Sequence, residues 1–249
     1  MKRFLFINGL VALVAAATVG VVAGGAAHAA ITCDAANPIN GGTISDSVTA
    51  GPGCIIHGGA QVKGTVNVQP GGSLLLTNAT VKGAVLATNP DYVEINGCST
   101  TLCTGQGLGP VTIGDKVSIT GATNTSNGSA TYICDGALIK GSVDLQNNNS
   151  NGALFGTAVD LGSSVCDTPV TINGSVIVSN NAGLIRIGPA ANGTGNSIAG
   201  SVSATNNTGY GTIINNVISG SLTASGNAPP YAVSGNTVRG ACRVPGGTC

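Results

Sequence analysis

The chain has 249 residues, 42% of them apolar, 3% aromatic and 7% charged, with 40 glycines, no tryptophan, and nine Lys/Arg against nine Asp/Glu. So few cations exclude an extended surface that grips a phosphate backbone, and nucleic acid is not an expected partner. So few aromatics exclude a core built on large rings, and leave Val, Ile, Leu and Ala to fill the interior.

Residues 1–29 have the three parts of a secretory signal: Lys2 and Arg3, an apolar stretch from Phe4 to Val22, and the small-x-small site Ala27-His28-Ala29. Gly9, Gly20, Gly24 and Gly25 interrupt that stretch, which argues against a retained anchor. Cleavage is expected to leave a secreted, extracellular chain starting at Ala30, with no membrane contact. Without Lys2 and Arg3 its net charge is −2, and its only aromatics are Phe155 and four tyrosines.

All eight cysteines follow the cleavage site: Cys33, Cys54, Cys98, Cys103, Cys134, Cys166, Cys242 and Cys249. An even number in an exported chain argues for disulfides. Pairing by proximity joins Cys33 with Cys54, Cys98 with Cys103, Cys134 with Cys166, and Cys242 with Cys249. Metal-binding Cys-x2-Cys spacing is absent, so neither a metal nor a cofactor is expected.

Residues 30–60 fit the pattern of the rest worst and are read as an N-terminal cap. From 61 to 249 one frame recurs: VKGTVNV (62–68), VKGAVLA (81–87), IKGSVDL (139–145), INGSVIV (172–178), IAGSVSA (198–204), ISGSLTA (218–224) and VRGACRV (238–244). VTIGDKVSI (111–119) reads as a relative with one extra residue. Alternation by two, β-branched residues and closing pairs such as Thr88-Asn89 and Thr205-Asn206 predict a single strand through each frame, with the glycine at a bend or close approach. Second strands are predicted at 93–95, 159–161 and 184–187, and Gly-rich excursions at 104–109 and 120–130.

Inward residues that recur at about twenty-residue spacing require successive strands to lie parallel on one another. Ile198, Ile218 and Val238 then stack, as do Val202, Leu222 and Cys242. The predicted fold is all-β: a parallel β-helix of nine or ten turns with disulfide-clamped ends. Asn196, Asn216 and Asn236 are expected at a corner, in left-handed backbone, bonded to one another.

The (Ile/Val)-x-Gly-(Ser/Thr/Ala)-(Val/Leu) strands with Asn corners resemble the right-handed parallel β-helix superfamily, which includes the pectin-lyase-like proteins. The tail NVISGSLTASGN…VSGNTVRG is similar to that of secreted bacterial β-helix proteins. The resemblance covers most of the chain and is one of architecture. For the hydrolases it would imply Asn-x-Asp, Asp-Asp, Gly-His-Gly and Arg-x-Lys motifs; the last three are absent, and Asn-x-Asp occurs once, as Asn89-Pro90-Asp91, with none of the others beside it.

No catalytic residue is assigned. His57, alone after the cleavage site, reads as a surface or loop residue. Asp144 with Asp115, or Glu94 with Asp160, are the carboxylate pairs that adjacent turns would have to bring together. Asp160 and Arg186 read as a surface ion pair across adjacent turns. Beside the frame glycine stand Lys63, Lys82, Lys140, Asn173, Ala199, Ser219 and Arg239. After it come Thr65, Ala84, Ser142, Ser175, Ser201, Ser221 and Ala241, an outward row of small hydroxyls in the C-terminal half. The expected function is a non-catalytic, monomeric structural, adhesive or surface-binding protein whose partner is an extracellular polysaccharide. The alternatives are a carbohydrate-active enzyme with a non-standard acidic site and a protein binding ice or another crystal surface.

Overall fold

The computed structural model describes residues 30–95, 109–123, 129–149, 157–162, 168–189, 195–246 and 248–249. The signal-like segment 1–29 therefore lies outside the described residues, as do Cys98, Cys103 and Cys166. Every strand pair is parallel, and the strands form three sheets, here called A, B and C, of ten, nine and nine strands. The chain visits them cyclically: Leu222–Ser225 in A, Ala232–Ser234 in B, Thr237–Val238 in C, then Cys242–Arg243 back in A. This is a three-sided parallel β-helix.

The aliphatic spine follows the predicted stacking. Ile198 pairs with Ile218 and Ile218 with Val238, while Val202 pairs with Leu222 and Leu222 with Cys242. Ile172, Ile198 and Ile218 are at most 1% exposed. Each such side chain contributes about 1.5–3 kcal/mol on burial, so columns of Val, Ile and Leu stabilise the rod without large rings.

Three details differ from the sequence reading. Each frame is two strands, not one: Val217–Ile218 belongs to sheet C and Leu222–Ser225 to sheet A, with Ser219, Gly220 and Ser221 forming the corner between them. A Cβ on Gly220 would stand 2.7 Å from the Gly200 carbonyl carbon and oxygen, so close stacking at this corner is what requires glycine.

VTIGDKVSI has no extra residue, because Ile113 pairs with Val81 and Val117 with Val85. The glycine is displaced instead: Gly114 takes the lysine slot and Asp115 the glycine slot, where Asp115 O accepts from Gly141 N at 3.1 Å. Third, residues 31–57, set aside as a cap, run as the first coils of all three sheets.

Each corner carries its own polar ladder. Between B and C, Asn196, Asn216 and Asn236 stack as expected, and Asn196 and Asn216 are fully buried. They are not the left-handed residues, however. That role falls to the residue before, Asn215 (φ 58°) or Gly235 (φ 67°).

Asn216 Oδ1 accepts from both Asn196 N (3.3 Å) and Asn196 Nδ2 (3.0 Å), and its own Nδ2 donates to Ile187 O and Asn236 Oδ1, each at 3.0 Å. Between A and B a second ladder, Asn148, Asn181, Asn207 and Asn227, repeats the pattern behind left-handed Asn147, Asn180 and Asn206. Between C and A, Ser142, Ser175, Ser201 and Ser221 each accept, through Oγ, the backbone N–H of the corresponding residue one turn on, at 3.0–3.1 Å. The small hydroxyls thus satisfy backbone amides and are half-buried rather than free.

Cys33–Cys54 and Cys242–Cys249 are bonded, with Cα separations of 5.1 and 6.5 Å. They tie the first and last coils, and Asn236 N donates to Cys249 O at 2.8 Å where a further rung would otherwise stand. Cys134 is also disulfide-bonded.

Candidate functional site

The length of chain in each turn points to one face. Successive sheet-A strands are 32 residues apart from Val85 to Val117, 26 to Val143, 33 to Val176 and 26 to Val202, but only 20 to Leu222 and 20 to Cys242. None of the excess lies at the C-to-A corner, where Val81 to Val85, Ile113 to Val117, Ile139 to Val143 and Ile218 to Leu222 keep one spacing. It lies in the connections that enter and leave sheet B, such as that between Ile95 and Thr112. Of the predicted excursions at 104–109 and 120–130, residues 104–108 and 124–128 fall outside the described residues, while Thr120 and residues 129–130 at the ends of the second belong to the strands Val117–Thr120 and Ser129–Ile133.

The sheet-B strands so flanked are Tyr92–Ile95, Ser129–Ile133, Thr157–Leu161 and Leu184–Ile187. Alternation sends Val93, Ile95, Ile133, Val159, Leu161, Ile185 and Ile187 inward. The opposite set then forms one outward column in register: Leu75, Glu94, Tyr132, Asp160, Arg186 and Thr212.

Glu94 lies in partial burial, which raises its pKa from 4.5 to about 7, with the negative charge of Asp135 adding to the shift. It therefore holds a proton over much of the range in which ordinary carboxyls are ionised. The Arg186 guanidinium donates to Asp160 Oδ2 at 3.5 Å. The pairing across adjacent turns is as the sequence suggested, but the Asp160 side chain is only 2% exposed, so this is a covered carboxylate under a half-open arginine.

Of the two carboxylate pairs read from the sequence, the structure sets one in a single column. Glu94 and Asp160 stand two rungs apart on either side of Tyr132, roughly 9–10 Å along the sheet. Asp144 and Asp115 are not brought onto one rung. Asp144 faces outward opposite Ser118 and accepts from Gln146 Nε2 at 2.7 Å, while Asp115 occupies the preceding corner. His57 ends the strand Cys54–His57, half-buried opposite Asn40. Among the described residues no group of three His, Cys, Asp or Glu is placed to hold a metal ion.

Two surface features escaped the sequence reading. Tyr132 lies in the acidic column, on the strand Ser129–Ile133, which was not among the strands predicted. Sheet A presents paired hydroxyls in register, Ser203 with Thr205 beside Thr223 with Ser225, in strands reading VSAT and LTAS. Asp144 and Ile177 interrupt those columns, so the array does not run the length of the rod. No family model matches the chain, and neither a curated protein nor a solved structure matches it.

Proposed function

We propose that the protein is a secreted, non-catalytic β-helical rod that binds an extracellular polysaccharide across the middle of sheet B. The observation that carries the reading is the convergence of every lengthened connection on the strands bearing Glu94, Tyr132, Asp160 and Arg186. In stacked-repeat proteins, insertions gather on the face used for binding. The column offers what a sugar chain takes up: a ring for an apolar sugar face, acceptors and donors for hydroxyls, and a carboxyl that burial keeps partly neutral. The signal-like first 29 residues and the disulfides support export. Among the described residues no helix is long and apolar enough to cross a membrane. The resemblance to pectin-lyase-like β-helices points to the same class of partner.

One observation favours a second reading, a carbohydrate-active enzyme. Glu94 has the raised pKa of a general acid, and its separation from Asp160 is near the upper end of the range that admits a water in inverting glycosidases. The two are separated by screening the oxidised protein on pectins, glucans and chitin for retention and for released reducing or unsaturated ends. Retention without release is expected, weakened about tenfold in Tyr132→Ala, the loss of one stacking contact plus its burial. Release that disappears in Glu94→Gln would establish the enzyme instead.

A further inference from the structure

Outside sheet B, the most uneven distribution of charge is at the C-to-A corner. Of the seven cations that follow residue 29, five stand there, four of them in four successive turns, Lys63, Lys82, Lys116 and Lys140, and the fifth, Arg239, four turns further on. The backbone shows that the four lysines share a ridge. Lys63 N donates to Ile44 O, Lys82 N to Val62 O and Lys140 N to Ile113 O, at 2.8, 2.8 and 2.9 Å, the same bond repeated from turn to turn. At the turn where Gly114 takes the lysine slot, Lys116 supplies the cation two residues on, in the slot that is serine in the next four turns. All four side chains are exposed.

The fold does not ask for these charges. The same slot holds Asn173, Ala199 and Ser219 in the next three turns, making the same backbone bonds, before a cation returns at Arg239. Like charges on neighbouring rungs, about 4.8 Å apart, repel and are destabilising unless something neutralises them. Two carboxylates share the corner, Asp46 in the turn before Lys63 and Asp115 beside Lys116, which leaves the four lysines in excess by two; Asp144, on the face of sheet A, accepts from Gln146. The chain as a whole is not basic, so the lysines are a local concentration of positive charge and not part of a general excess.

We infer that this corner is a second binding site, a ridge that takes a linear acidic polysaccharide lying parallel to the rod axis. Three rung steps carry the ridge over about 14 Å, and one cation per rung suits a polymer with one carboxylate or sulfate on each sugar. Lysine ammonium groups are compact point charges, which suits recognition by charge spacing and not by the planar fork that arginine supplies. No aromatic residue stands among the corner residues 63–65, 82–84, 114–116 and 140–142 to stack on a base, and four charges are few for a duplex, which is why the occupant is a sugar polymer.

The site is independent of sheet B, and its test is read separately. Affinity of the oxidised protein is measured against a polyuronate, a sulfated glucan, a neutral glucan and duplex DNA over a range of salt, for wild type, Lys63→Gln/Lys82→Gln/Lys140→Gln, the matching triple arginine variant, and Tyr132→Ala. Binding of the acidic polymers is expected to fall by about tenfold or more in the glutamine variant, with a salt slope smaller by about two, and to persist with arginine. Preference for the polyuronate or the sulfated glucan then names the acid group. Tyr132→Ala retains this binding, so failure of either site leaves the other readable. Equal affinity of wild type and glutamine variant, insensitivity to salt, or duplex DNA bound as tightly as the acidic polysaccharides would each overturn the inference.

Discussion

Glu94 is a carboxyl held partly out of water. Unfolded, its carboxyl ionises near 4.5; folded, it keeps its proton to about 7, first because burial penalises the charge and then because Asp135 repels it. Between those values the unfolded chain binds fewer protons than the folded one. This group's contribution therefore makes stability fall as pH rises, by about 2 kcal/mol across the window once residual solvent contact is allowed for. Urea unfolding of wild type and Glu94→Gln at several pH values between 4.5 and 7 tests this. The wild-type decline should be flattened in the variant, and parallel curves would show that Glu94 titrates normally.

At the scale of the structural element, the corners do as much as the strands. Each asparagine rung satisfies donors and acceptors of two turns at once, and Asn216 has no water to replace its partners. Asn216→Ala should cost about 3 kcal/mol, since it strands buried groups on Asn196 and at Ile187 O. Asn206→Gly, at an exposed left-handed position with φ of 54°, should change stability by a few tenths at most. Chemical denaturation of the two variants distinguishes a ladder that bears load from one that merely repeats.

The sequence made the stacking legible because Ile198, Ile218 and Val238 recur in one slot. It hid the C-to-A corner because Ile218 and Leu222, four residues apart and both inward, look the same in a straight strand and in one folded about a glycine. Aligning on the glycine, where the flanking aliphatics keep the spacing, is what inserted a spurious residue at Asp115. Tyr132 was missed because its strand, Ser129–Ile133, begins inside the stretch 120–130 that was read as a Gly-rich excursion.

For the whole molecule, each coil touches only its neighbours, so a repeat is removable where the joined slots match. Excising residues 222–241 joins Ser221 to Cys242, which already stands in register with Leu222, and preserves the Cys242–Cys249 bond. Excising 202–221 is equally long but sets the buried Tyr231, whose ring lies over Gly211, against Ile185 instead. The first shortened chain should fold cooperatively with a denaturant slope lower by about a tenth. The second should be less stable by about 1–3 kcal/mol from overpacking. Equal stabilities in urea would show that the ring and the glycine are not a matched pair.

The invariant C-to-A corner has a consequence for how such a chain can change. Because the rise from coil to coil is set there, and length varies only on the approaches to sheet B, residues can be gained or lost beside Glu94 and Tyr132 without altering the pitch on which the lysines are spaced. On the binding roles proposed for the two faces, selectivity on one side of the rod can drift while the charge interval on another stays calibrated.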